Sequence, residues 1–168
     1  MAWPGPPARP LRIGYIVIPP DLVPHFVAVR KVTDLVPPTL SQAVLTDFID
    51  EGHFARHIRR MRLLYRERRG ALVDAIRTYL GATSRVLGVE AGMHLVAALP
   101  KGTDDRHVSE RAARQGLWVM PLSACYLGEV SRPGVVLGFG GSSVTEIPPA
   151  VRRLDSTISS ASARELSR

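Results

Sequence analysis

The chain has 168 residues, 45% of them hydrophobic and 22% charged, which is the composition of a globular protein with a core of its own. Its formal net charge is +7, but the acidic residues are interspersed with the arginines, so we read an arginine-rich composition rather than a nucleic-acid partner. A single cysteine, Cys125, excludes an internal disulfide. No apolar run approaches the roughly 20 residues of a membrane span, and the N-terminus lacks a signal pattern, which predicts a cytoplasmic chain.

The first twenty residues contain one candidate ligand, Arg12. Residues 1–10 hold four prolines and no periodicity, which predicts a disordered tail. A short apolar run then extends from Arg12 to Ile18, and its Pro19-Pro20 ending predicts a buried strand. A guanidinium at a strand entrance can bind a phosphate or carboxylate through two hydrogen bonds, although most arginines in such places are solvated.

Helical periodicity dominates the next sixty residues. One short helix is predicted after Asp21 and ends before Pro37-Pro38, and a second runs from Thr39 or Ser41 to Gly52. The longest element is predicted over about His53–Leu80, where apolar residues recur at steps of three and four, interrupted only at Arg68 and Arg69: Phe54, Ile58, Met61, Tyr65, Leu72, Ile76 and Tyr79 or Leu80.

The remainder predicts a small α/β unit. Strands are predicted at Arg85–Glu90, Met93–Leu99, Leu117–Met120 and Gly134–Phe139, with a helix from Asp104 or Asp105 to near Gly116. A last helix is predicted over Val144–Ile158, with Pro148-Pro149 in its first turn. The serine-rich residues from Ser159 onward are predicted to be disordered.

Three patterns suggest sites, and each has an ordinary structural explanation. The arginines of the long helix could track phosphates, but they spread over more than half of its circumference, so a solvated face is the better interpretation. His53 and His57 share a helix face but lack a third zinc ligand, and no metal site is predicted. The loop Gly138–Ser143 resembles a phosphate-binding loop, yet it lacks the Lys-Ser/Thr ending.

Four segments resemble the aminotransferase-like domain of the MocR group of bacterial transcriptional regulators, and with it the fold-type-I, class I-II aminotransferases. These segments are residues 6–22 (PPARPLRIGYIVIPPDL), 37–69 (PPTLSQAVLTDFIDEGHFARHIRRMRLLYRERR), 89–100 (VEAGMHLVAALP) and 133–140 (PGVVLGFG). The resemblance extends from about Leu11 to Ile158. It implies an α/β fold that is a fragment of the fold-type-I aminotransferase fold.

The same resemblance implies a domain organisation. Residues 11–52 would be the remnant of the large cofactor-binding domain, with one strand and helices, and residues 53–81 the long connecting helix. Residues 82–158 would form the small C-terminal α/β domain. The segments 1–10 and 159–168 would be disordered tails.

The resemblance also implies a cofactor, pyridoxal 5'-phosphate, whose phosphate Arg12 would bind. The Schiff-base lysine of the family is missing: Pro4 and Gly5 stand at its place, and the two lysines of the chain are Lys31 and Lys101. Arginine cannot form the Schiff base, so no catalytic residue is predicted. The strand that commonly carries a carboxylate-binding arginine has Val136 at that place, which argues against ordinary amino-acid transamination.

Three functions follow as hypotheses. The first is a truncated aminotransferase-like domain of a MocR-type regulator, without turnover by itself, responding to pyridoxal phosphate or an amino-acid adduct of it. The resemblance implies a homodimer, or pairing with a missing N-terminal half, and DNA contact only through a separate N-terminal domain. The second is a non-catalytic dimerisation or interaction fragment. The third is nucleic-acid binding through the arginine-rich helix.

Overall fold

The computed structural model describes residues 13–33, 39–81, 84–88 and 92–165. The chain divides on either side of residue 60 into two compact units, named here the N-terminal unit (described residues 13–60) and the C-terminal unit (described residues 61–165). No helix in these ranges is long and apolar enough to cross a membrane. Arg12 and the predicted tail over residues 1–10 lie outside the described residues.

The N-terminal unit begins with a segment that corrects one prediction. Residues 13–19 have no regular secondary structure, so the strand predicted over residues 12–18 is not formed in its described part, residues 13–18. Tyr15 is 94% exposed and Val17 is 86% exposed, although both belong to the apolar run. A strand needs a neighbour for its backbone N–H and C=O groups, and no strand pairs with this segment within the described ranges.

Helices form the rest of the N-terminal unit. A 3₁₀ turn, Pro20–Leu22, leads into α1 (Val23–Thr33), and α2 spans Thr39–Asp50. Gly52, with φ of 75°, follows α2 where the sequence predicted its end. None of the described residues of α1 and α2 is buried, so their apolar side chains are left partly in solvent.

The long helix α3 spans His53–Leu80, as its periodicity predicted. All of its buried residues lie in the C-terminal third: Leu72, Val73, Ala75, Ile76 and Leu80. These residues belong to the hydrophobic core of the C-terminal unit.

Four antiparallel strands form the sheet of the C-terminal unit, in the order β1-β2-β4-β3. Their bounds are β1 Arg85–Leu87, β2 His94–Ala98, β3 Met120–Pro121 and β4 Gly134–Gly138. Three lie within their predicted ranges. The third begins only at Met120 and takes in Pro121, which an edge strand tolerates because one side of its backbone has no partner.

Two helices complete the unit. Helix α4 spans Asp105–Arg114, and Asp104 caps it by accepting hydrogen bonds from the backbone N–H groups of Arg106 and His107. Helix α5 spans Ile147–Glu165, with Pro148-Pro149 in its first turn as predicted. The prediction of disorder from Ser159 is corrected for residues 159–165, because a helix that is packed at Leu154 and Ile158 can propagate through Ser and Ala at little cost.

One face of the sheet packs into the core. Every second side chain of β2 and β4 points into this core, where it joins side chains of α3, α4 and α5. These strand residues are Leu95, Ala97, Val135 and Leu137. Phe139, immediately after β4, is 1% exposed and belongs to the same cluster. The alternate residues of these strands stand on the opposite face, on which the candidate site is built.

Candidate functional site

A row of four side chains crosses the opposite face of the sheet. Leu87 pairs with Val96, Val96 with Val136, and Val136 with Met120, so the four residues stand side by side across all four strands. We name this row the open face. Met120 is 50% exposed and the other three are half-buried.

The open face is apolar where the resemblance would place an arginine. Val136 lies at the middle of β4, and Arg132 lies in the exposed segment before that strand. A ligand carboxylate held against Val136 would therefore meet no cation in this row and would lose its hydration without compensation. The row is chemically suited to an apolar ligand part.

One imidazole lies at the end of the open face. His94 pairs with Gly138, and a Cβ atom built on Gly138 would lie only 3.2 Å from Cδ2 of His94. The ring therefore lies against the glycine, while His94 as a whole is exposed to solvent. A larger residue at position 138 would have to displace the ring.

The loop after β4 is occupied by groups of the chain itself. The Arg68 guanidinium donates from Nη1 to the carbonyl oxygen of Gly140. The carboxylate of Glu146 accepts hydrogen bonds from the backbone N–H and the hydroxyl of Ser143, each at 2.8 Å. A carboxylate at the start of α5 is the anion that a helix N-terminus favours, so this loop has the geometry of a helix cap and not of a phosphate site.

Glu146 gives the cap a pH dependence. The Ser143 backbone N–H, then its hydroxyl, hold the pKa of Glu146 below its usual range. A lowered folded-state pKa adds stability above the unfolded-state pKa, and this contribution disappears as the pH falls through the folded-state pKa.

We expect Glu146→Gln to have a lower free energy of unfolding than the wild type at pH 7. In acid the two free energies should become equal, as measured by urea unfolding across pH. Parallel curves would contradict this role, and Glu110→Gln on α4 is the control.

The other predicted site residues do not converge. His53 lies 3.0 Å from the Glu51 carboxylate through Nε2, and its ring stacks on Phe48 with centroids 5.7 Å apart. Within the described ranges no three His, Cys, Asp or Glu side chains group in a way that could hold a metal ion. Arg68 contributes to the loop contact, which removes it from any continuous phosphate-tracking stripe on α3.

Sequence reasoning missed a buried carboxylate of the C-terminal unit that accepts several hydrogen bonds. Asp105 is 3% exposed and accepts three hydrogen bonds, from the Ser123 N–H at 3.0 Å, the Ser123 hydroxyl at 2.6 Å and the Gly134 N–H at 3.0 Å. The sequence indicated Asp105 only as a possible helix start. Its partners, Ser123 and Gly134, are distant in sequence, and no local motif indicates that they bind Asp105.

The chain is similar in sequence to bacterial transcriptional regulators. It is 40% identical over 131 residues to the probable rhizopine catabolism regulatory protein MocR of Rhizobium meliloti, covering 78% of this chain and 27% of that protein. It is 32% identical over 147 residues to the HTH-type transcriptional regulator YhdI of Bacillus subtilis, covering 86% of this chain and 31% of that protein. No family model matches. The chain thus spans less than a third of these two regulators.

A solved structure has the same fold. The multiple substrate aminotransferase of Thermococcus profundus superposes with a TM-score of 0.77 at 27% identity, over 86% of this chain and 36% of that one. The chain therefore has the fold of the fold-type-I aminotransferases, of which it corresponds to the C-terminal part. Within that class it is homologous to the aminotransferase-like domain of MocR-type regulators.

The residues present do not complete a site for pyridoxal phosphate, the cofactor that this fold implies. The cofactor requires a primary amine for its Schiff base. The resemblance puts Pro4 and Gly5 at the place of that lysine, which lies outside the described residues, while Lys31 lies in α1 and Lys101 in the turn after β2. Arg12, the predicted phosphate ligand, lies outside the described residues.

Proposed function

We propose that this chain is a non-catalytic part of a pyridoxal-phosphate-responsive, aminotransferase-like domain in a cytoplasmic MocR-type transcriptional regulator. The observation that carries the proposal is the combination of 40% identity to a MocR regulator with the absence of a lysine at the matched position. Val136 supports it, because an apolar residue at the place of the carboxylate-binding arginine suits a sensor better than a transaminase.

Two parts of the chain have separate proposed roles. Arg12 binds the cofactor phosphate through its guanidinium. The open face is a separate contact surface, and its apolar side chains around Val136 suit the apolar part of an effector. Bound pyridoxal phosphate would supply an aldehyde and an electron-withdrawing ring, but this chain offers no amine in the matched place to hold it covalently. DNA contact belongs, in this proposal, to a separate N-terminal domain of a longer protein, and the regulator acts as a dimer.

The test measures cofactor binding and turnover with the 168-residue chain. We expect no transamination of any amino-acid donor, and weak non-covalent binding of pyridoxal phosphate that Arg12→Gln weakens by about tenfold or more, since a charged hydrogen-bonded pair is lost. Arg9→Gln is the control, with affinity unchanged. Transaminase turnover would refute the non-catalytic assignment, and equal affinity of the two variants would remove Arg12 from the site.

A second candidate function has its own observation. None of the described residues 13–60 is buried, and large apolar side chains of α1 and α2 are 39–52% exposed: Phe26, Val27, Val44, Phe48 and Ile49. Such surfaces favour a dimerisation or interaction fragment, paired with a second copy or with the remainder of a longer chain. Light scattering at low salt tests this second candidate, because a clean monomer counts against association by this unit.

A further inference from the structure

We propose that a groove between the end of α3 and β1 binds a small carboxylate that carries a short apolar chain. The groove has a volume of about 490 Å³, within the range of small-molecule sites. Its lining includes two arginines, a serine and three apolar residues: Arg77, Arg85, Ser84, Val73, Ile76 and Val86. It involves neither Arg12 nor the open face, so it is independent of the function proposed above.

Two cations give the groove its charge preference. Arg77 lies in the last turn of α3 and Arg85 opens β1, and no acidic side chain is part of the described lining. A carboxylate is the natural bidentate partner of a guanidinium. The C-terminal carbonyls of α3 carry about half a negative charge, which two full positive charges outweigh.

An unsatisfied hydroxyl points to the same ligand. The Oγ atom of Ser84 is buried and has no hydrogen-bond partner within the described part of the chain. The backbone N–H of Ser84 is already used, donating to the Leu80 carbonyl at 2.7 Å. A buried polar group without a partner is unfavourable, so a ligand oxygen that accepts from Ser84 would stabilise the bound state.

The apolar residues of the lining favour a carboxylate with an alkyl chain over inorganic phosphate. Val73 is 9% exposed and Val86 is half-buried, and both line the groove beside the arginines. Burial of methylene groups against them adds affinity that phosphate cannot gain. Hexanoate is therefore a better probe of the groove than a bare anion.

The experiment titrates hexanoate, hexylamine and inorganic phosphate into the 168-residue chain by calorimetry. We expect hexanoate to bind more tightly than phosphate and hexylamine not to bind. Arg77→Gln and Arg85→Gln should each weaken hexanoate about tenfold or more, whereas Arg66→Gln, an exposed arginine of α3 outside the groove, should not.

Three outcomes would overturn the proposal. These are no measurable binding of hexanoate, phosphate binding of equal strength, or binding that both groove variants leave unchanged. Ser84→Ala tests the hydroxyl separately, and it should weaken hexanoate less than either arginine change. Circular dichroism of each variant establishes that the fold is retained.

Discussion

Asp105→Ala is expected to lower the free energy of unfolding of the C-terminal unit by about 3–5 kcal/mol. The carboxylate is almost fully buried and accepts from the Ser123 N–H, the Ser123 hydroxyl and the Gly134 N–H. Alanine leaves these donors without their acceptor, and the Gly134 bond is itself buried. Urea unfolding followed by circular dichroism measures the change, provided that the slope with denaturant is unaltered.

Asp104→Ala is the matched control for this prediction. Asp104 is the preceding residue and also accepts two backbone hydrogen bonds, but it is exposed and acts only as the cap of α4. A lost cap costs about 1 kcal/mol. If the two alanine variants were equally destabilised, the link from α4 to the Ser123 and Gly134 segments would not stabilise the unit as argued here.

The long helix shows what periodicity can establish. Its bounds, His53–Leu80, follow from apolar residues at steps of three and four, because each of those side chains must face the same direction in a helix. Periodicity did not reveal that only the C-terminal third is buried. That depends on what packs against each turn, and the cluster to which these residues belong takes its other helix and strand members from β2, β4, α4 and α5.

Strands were less predictable because pairing is not local. The run from Arg12 to Ile18 has a strand composition, yet residues 13–19 form none, since no described strand pairs with it. Conversely, Pro121 belongs to β3 because its partner Val135 lies in register with it. Register and edge position decide both cases, and neither can be read from one segment alone.

The candidate site also combines residues that the sequence indicated with contacts that only the structure reveals. Val136 was located by sequence resemblance, and the register then shows which residues stand beside it. The contact between His94 and Gly138, the Arg68 bond to Gly140 and the Asp105 network join residues from 18 to 72 positions apart or on neighbouring strands. Arg12 stays a prediction from the sequence.

Phe139→Ala is the second change with a large expected effect. Phe139 is 1% exposed, and its ring meets Tyr65 edge-on with centroids 6.3 Å apart and an angle of 70° between the planes. Its backbone N–H donates to the Met93 carbonyl at 3.2 Å, so the residue is held at the end of β4 by both backbone and side chain. Truncation should reduce the free energy of unfolding by about 3–5 kcal/mol, through lost burial and a residual cavity.

Trp118→Ala provides the comparison, because it removes an even larger aromatic ring that is 65% exposed. A surface truncation of this kind is expected to change stability by about 0.5 kcal/mol or less. Phe139 also precedes Gly140, whose carbonyl accepts from Arg68, so its loss should loosen the loop between β4 and α5 as well as the core. Equal losses in the two variants would mean that the ring of Phe139 is not packed as described. A large loss in Phe139→Ala alone would place the contact between α3 and the end of β4 among the main determinants of the stability of this unit.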